Sequence, residues 1–116
     1  IPVPLSQKSL AKRKYNQSQL LADELGKIYK KQVDSASLNK VLETKHQKDL
    51  NMAQRKTNLK DAFLVSNKKQ VFGKDILLVD DVVTTGATAN ECCLALKKYA
   101  NHVYVVSFAR SPLKNK

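Results

Sequence analysis

The sequence predicts an α/β fold built on a parallel β-sheet flanked by helices, and three observations carry that expectation. Ile76-Leu77-Leu78-Val79 is an unbroken aliphatic run, the pattern of a strand buried on both faces. Ala89, Cys92, Cys93, Leu96 and Ala100 then recur at i, i+3, i+4, i+7 and i+11, which gives one face of a helix an apolar stripe. A second apolar run from Val103 to Phe108 follows that helix. Strand, helix and strand in this order call for a right-handed parallel crossover.

The other elements follow in chain order. Ile1 to Leu5, apolar and punctuated by Pro2 and Pro4, suits a strand leaving a sheet. Ser6 to Tyr15 reads as a basic connector. Asn16 is placed to cap a helix, and Gln19 three residues later completes a capping box. Leu20, Leu21, Leu25, Ile28 and Tyr29 make that helix's apolar face, with its end near Lys31. Gly26 inside it costs about 1 kcal/mol relative to alanine. Ser37 to Leu42 forms a short strand. Glu43 to Asn58 is nearly all polar, with Asn51 placed to cap a short helix. Ala62 to Val65 is a strand and Ser66 to Lys69 a turn. Asp75 to Val79 is the aliphatic strand, whose run Asp80 and Asp81 break where it emerges at the sheet's edge. Lys97 and Lys98 suit the C-terminus of the following helix, and Asn101 suits a left-handed cap. His102 to Ala109 is the second buried strand, and Arg110 to Lys116 a tail.

Composition narrows the class. The 116 residues make one domain with a formal net charge of +11. Residues 1–70 hold 15 Lys/Arg against 6 Asp/Glu, whereas residues 71–116 hold 6 against 4. The positive charge therefore lies away from the acidic pair and favours polyanionic partners: pyrophosphate, and nucleic acid beyond it. No apolar run approaches membrane-spanning length and no secretory leader is evident, so a cytoplasmic location is expected. Cys92 and Cys93 are neighbours in one helix, where core packing explains them better than pairing or zinc binding. His46 and His102 have no partner motif and read as bland.

The chemistry concentrates between Ile76 and Thr88. A strand, a tight loop and a helix N-terminus form an anion site, because the first helical turn carries unpaired N–H groups and the positive end of the dipole. Thr84, Thr85 and Thr88 add hydroxyls, and Gly86 permits a positive φ or a close approach. Adjacent carboxylates beside a phosphate cradle make sense if the ligand also offers a vicinal diol or a magnesium ion. A ribose 5-phosphate held at both ends meets that description. A receiver domain also carries an acidic pair after a strand, but only 35 residues follow Asp81. A Walker phosphate loop needs a glycine pattern that Gly26, Gly73 and Gly86 do not provide.

Val79-Asp80-Asp81-Val82-Val83-Thr84-Thr85-Gly86-Ala87-Thr88 resembles the signature of type I phosphoribosyltransferases, which bind 5-phosphoribosyl 1-pyrophosphate. The resemblance implies that Asp80 and Asp81 contact the ribose hydroxyls and magnesium. It likewise implies that Thr84, Thr85, Gly86, Ala87 and Thr88 wrap the 5-phosphate. Mg²⁺ would arrive with the ligand, since no metal site is made by protein ligands alone. Enzymes of this type acting on 6-oxopurines carry an aspartate where Thr84 stands, so the usual purine-contacting base is absent.

Pro4-Leu5-Ser6 and Arg13-Lys14-Tyr15-Asn16-Gln17 resemble the ComF group, phosphoribosyltransferase-like proteins tied to DNA uptake in competent bacteria. Lys14 stands where that group has glycine, and Tyr15 where it has phenylalanine. Thr44, Gln47, Leu50, Arg55 and Asn58 extend the likeness. The resemblance implies a pyrophosphate contact around Leu5 and Ser6 and a mobile hood in the polar stretch, with Lys45 and Arg55 as its candidate cations. Partners so implied are phosphoribosyl pyrophosphate, single-stranded DNA and a helicase-like protein of the uptake machinery. Lys12, Arg13, Lys14 and Tyr15 are the DNA candidates: the ring either stacks a base or staples the helix start. ComF proteins usually begin with a four-cysteine zinc module, which is either absent here or lies upstream of these residues; the domain is expected to be part of a longer chain. Two functions fit: a DNA-uptake protein binding phosphoribosyl pyrophosphate and single-stranded DNA, or a metabolic transferase acting on a nucleobase or amine.

Overall fold

The computed structural model describes residues 1–42, 59–83 and 85–110 of the chain. Its centre is β3 (Asp75–Val83), and the expected helix and strand follow as α4 (Ala87–Lys97) and β4 (His102–Arg110). The two strands pair in parallel, Ile76 opposite Val103 and Val79 opposite Val106. This is the predicted strand–helix–strand unit. The opening residues add to the other side of β3, where Val3 N donates to Val79 O and Val79 N to Ile1 O, both at 2.8 Å. A smaller antiparallel pair, β1 (Leu38–Lys40) with β2 (Phe63–Val65), stands apart from the parallel sheet. The α/β class is borne out.

The core lies between β3, α4 and the β1–β2 pair. Ile76 and Leu78 from β3 meet Ala89, Cys92, Ala95 and Leu96 from α4, with Leu38, Phe63 and Val65 closing the cluster. Cys92 is fully buried, as packing predicts, and burial pushes its thiol far above the ordinary range. It is therefore an inert core residue. Asp34 anchors the entry to β1: its Oδ1 accepts from the amides of Ala36 and Ser37 at 3.0 Å each.

Several expectations need correction. Ser6 to Tyr15 is not a plain connector: it contains α1 (Gln7–Arg13), because the Ser6 hydroxyl accepts from Ser9 N at 3.1 Å and caps the first turn. Lys14 takes φ +69° at the end of α1, so the tight turn forms with a lysine where the ComF group has glycine. Asn16 caps α2 (Gln17–Tyr29) through Ser18 N, but Gln19 bonds Asp23 instead of closing the box.

The apolar face of α2 is also displaced. Leu20, Ile28 and Tyr29 are exposed, Ile28 by 67%, whereas Ser18 and Ala22 are the residues buried. Small side chains let the helix sit close to β3. Gly26 has a matching reason, since a Cβ there would lie 2.5 Å from Val33 Cγ2 and 2.9 Å from Lys31 O. The helix ends at Tyr29 with Lys30 in the left-handed conformation.

Residues 68–71 form a one-turn helix, α3 (Lys68–Val71), where a turn was expected. The signature strand runs on to Val83, so Asp80 and Asp81 lie inside β3 instead of breaking it. Asn101 is not a left-handed cap; Lys98 ends α4 in the right-handed region, and Asn101 instead binds Lys74 O and Asp75 Oδ1. β4 is largely exposed, not buried, because it pairs with β3 alone among the described strands. No helix among the described residues is long and apolar enough to cross a membrane.

Candidate functional site

The carboxyl end of β3 is where the candidate residues converge. Asp80 is 7% exposed and Asp81 half-buried beside it. Burial first, then the neighbouring Asp81 carboxylate, raises the Asp80 pKa from 3.8 to about 6. A strand of apolar residues holds this pair against α2 by a single hydroxyl. Ser18 Oγ donates to Asp80 Oδ1 at 3.5 Å and accepts from Asp81 N at 3.2 Å. Asn16 fixes the start of α2 through Nδ2, which donates to Val3 O at 3.0 Å, while its Oδ1 accepts from Ser18 N. The acidic pair is thus braced from the segment that leads into α2.

On the other side of the pair is the N-terminus of α4. Gly86 carries φ +83° and caps the helix, and its carbonyl accepts from Asn90 N at 2.8 Å. Thr85 Oγ1 accepts from Ala87 N at 3.3 Å and holds the loop's shape. A Cβ on Gly86 would meet nothing within 4 Å, so the backbone conformation, not crowding by protein, is what requires glycine. The first turn of α4 leaves amide N–H groups with no carbonyl inside their own helix, an arrangement chemically able to receive an anion.

These parts open onto one cavity of about 260 Å³, whose lining includes Leu5, Lys40, Asp80, Asp81, Gly86 and Thr88. Thr85, in the loop, and Ala87, the first residue of α4, are not among its lining residues, and Thr84 lies outside the described residues. Ser6 is buried as the cap of α1. The hood candidates Lys45 and Arg55 also lie outside the described residues. Lys12 and Lys14 are exposed on the surface, whereas Arg13 lines this cavity. Tyr15, which precedes the cap residue Asn16, is 54% exposed, and Leu20 is 50% exposed. Among the described residues no group of three or more His, Cys, Asp or Glu is placed to hold a metal.

Sequence reasoning missed Ser18, Gln17 and Lys40. Ser18 carried a faint signal, a small polar residue one turn into a helix whose neighbours are leucines. Lys40 gave none; its position follows from the pairing of β1 with β2, which sets its Nζ 6.0 Å from the Phe63 ring centroid.

The phosphoribosyl transferase domain family matches residues 17–111. The chain belongs to this family. It is similar to Competence protein F of Haemophilus influenzae, 39% identical over an alignment of 103 residues that covers 84% of this chain and 43% of that protein. It is also similar to DNA utilization protein YhgH of Escherichia coli K12, at 38% over 112 residues, 96% of this chain and 48% of that protein. Competence protein ComFC of Bacillus subtilis is 27% identical over 108 residues, 93% of this chain and 42% of that protein. The resemblance to the ComF group is borne out by these relatives. The chain spans less than half the length of each of them. No solved structure matches it.

Proposed function

We propose that this phosphoribosyl transferase domain binds 5-phosphoribosyl 1-pyrophosphate with Mg²⁺, and single-stranded DNA, within a ComF-type protein serving DNA uptake or utilization. The observation that carries the reading is the 260 Å³ cavity that joins Asp80 and Asp81 to the glycine-capped start of α4. Each end suits one part of the ligand. The carboxylates accept from a ribose diol, and the α4 amides with Thr88 surround a 5-phosphate. Leu5 and Lys40 also line the cavity, and Lys40 offers a cation suited to pyrophosphate.

The residues fit magnesium as well. Burial first, and then the adjacent Asp81 carboxylate, raises the Asp80 pKa to about 6; a divalent cation offsets the charge of such a pair, and hard oxygen ligands suit Mg²⁺. Bound there, the cation would offset charge on the pyrophosphate. Asp80 and Asp81 would hold it together with the ligand's own oxygens. The names of the relatives, with the basic surface at Lys12, Arg13 and Lys14, support the DNA part of the reading.

Thermal denaturation with and without magnesium phosphoribosyl pyrophosphate tests the first part. A raised melting temperature that is lost in Asp80→Ala/Asp81→Ala is the expected result, and an unchanged shift in that variant would sink the assignment. Filter binding of single-stranded DNA tests the second part. Affinity falls steeply with salt, and replacing Lys12, Arg13 and Lys14 flattens that dependence.

A further inference from the structure

β4 presents an unguarded sheet edge. Among the described strands it pairs with β3 alone, so its outer side carries unpaired backbone donors and acceptors along nine residues. Edges of that kind are ordinarily blunted by a lysine, a proline, a bulge or a short strand. None of these devices is present in β4. Val103 to Ala109 holds no charged residue and no proline, and the register with β3 is constant from Asp75 opposite His102 to Val83 opposite Arg110. A long, regular, apolar edge accepts another strand.

The side chains of β4 show which strand fits. Alternate residues share one face, so His102, Tyr104, Val106, Phe108 and Arg110 stand in a row. Tyr104 and Phe108 are 57% and 55% exposed. Tyr104 and Val106 also wall an apolar cavity of about 750 Å³ with Leu25 and Leu77. The row is complementary to itself when reversed. An antiparallel copy of β4 centred on Val106 sets Tyr104 opposite Phe108 on both sides of the centre, and such aromatic pairs directly across two strands are favourable. Centring on Val105 or Ser107 sets Tyr104 opposite Val106 or Arg110 instead, and the ring pairs are lost. Charge agrees with the same register. Arg110 then faces His102 of the second copy, whose Nδ1 lies 3.1 Å from the exposed carboxylate of Asp75. A guanidinium thus arrives beside a carboxylate at each end of the pair. Between those ends the strip is uncharged, on a chain whose net +11 otherwise repels its copies.

We propose that β4 is the interface between two copies of this chain, joined edge to edge about a two-fold axis at Val106. The two sheets become one, and because β4 runs antiparallel to its copy the two acidic clefts lie toward opposite ends of it. The pairing uses no residue of either cleft and stands independently of the function proposed above.

Sedimentation equilibrium of the chain tests it at about 0.15 M salt, where the field of each copy is screened beyond about 8 Å. A reversible dimer is expected by about 100 µM, because specific interfaces reach at least micromolar affinity. Two double variants then fix the register: Tyr104→Lys/Phe108→Lys and Tyr104→Glu/Phe108→Glu. Each sets like charges opposite one another and is expected to weaken self-association by at least about 100-fold. Mixed in equal amounts they should associate again, since every lysine then meets a glutamate. Both positions are more than half exposed, and circular dichroism shows whether the fold is kept. Arg110→Glu gives a second reading with one change at the exposed end of β4: it should weaken the dimer about 10-fold, and Asp75→Arg/Arg110→Glu should restore it. A wild-type chain that stays monomeric at every concentration overturns the proposal and leaves the edge to a strand of another protein. A dimer untouched by the folded double variants and by Arg110→Glu overturns it too, because the contact then lies elsewhere. Loss of the dimer in folded double variants without recovery on mixing overturns the register centred on Val106.

Discussion

Replacing Asp80 with asparagine should stabilise the unliganded domain at neutral pH while removing ligand binding. Asp80 sits in the cleft with its pKa raised from 3.8 to about 6, by burial and by Asp81. A carboxyl whose folded pKa is raised favours the fold while it is protonated. That contribution is complete below the unfolded value and is lost as pH rises through about 6. Above that window the ionised group opposes folding. At 1.36 kcal/mol per unit the displacement amounts to about 3 kcal/mol. Water entering the open cleft screens part of this and leaves about 1–2 kcal/mol. Asparagine has the same shape without the charge. Denaturation followed from about pH 4 to about pH 8 should therefore show the variant close to wild type at the acid end. At the basic end it should melt higher, on the order of 4–10 °C. A difference that is constant with pH, or a variant less stable at the basic end, would refute the argument that Asp80 is held at an energetic cost.

Three other perturbations follow from the geometry. Gly86→Val forces a β-branched residue into φ +83° with no protein atom crowding it, so the domain should stay folded, lose about 1–3 kcal/mol and no longer respond to phosphoribosyl pyrophosphate; tight binding by the folded variant would show that the loop is not the cradle. Ser18→Ala removes the acceptor of Asp81 N and the donor to Asp80, which should cost about 1–3 kcal/mol in a urea titration and move the Asp80 titration upward. Lys14→Gly relieves a left-handed lysine and should raise stability by roughly 0.5–1 kcal/mol, measured by the shift in urea midpoint.

What could be read in the chain and what could not divide by range. The aliphatic run, the glycine at the start of α4 and the stripe Ala89, Cys92 and Leu96 are local patterns, and the fold retains all of them. The acidic pair and the loop after it were likewise visible, because they are consecutive residues. The contacts that complete the site are long-range. Ser18 reaches Asp80 across 62 positions, and no periodicity encodes that bond. The face of α2 was misjudged for the same reason. Leucine spacing suggested one orientation, but Ser18 and Ala22 are the residues that α2 buries, and Gly26 leaves room for Val33 and the Lys31 carbonyl, so tertiary packing selected the smaller side chains. The exposure of β4 depends on which strands flank it, a matter of topology that its valines do not announce. Lys14 marks a different limit: a substitution at a turn glycine suggests a changed turn, yet the surrounding caps hold the lysine at positive φ.

The Ser18 hydroxyl also makes the Asp81 backbone amide an internal gauge of its neighbour's charge. One oxygen gives its proton to Asp80 and receives one from Asp81 N, so the two bonds polarise each other. While Asp80 is ionised it draws the hydroxyl proton and enriches the oxygen that Asp81 N meets. Once Asp80 is protonated that pull weakens, and the amide sees a poorer acceptor. In a ¹⁵N–¹H spectrum the Asp81 resonance should therefore move with a midpoint near the carboxyl's own, about 6, although the amide itself does not titrate. A ligand that engages Asp80 would hold that resonance still across the same range of pH. Occupancy of the cleft becomes visible at a single backbone proton, with no label placed in the site.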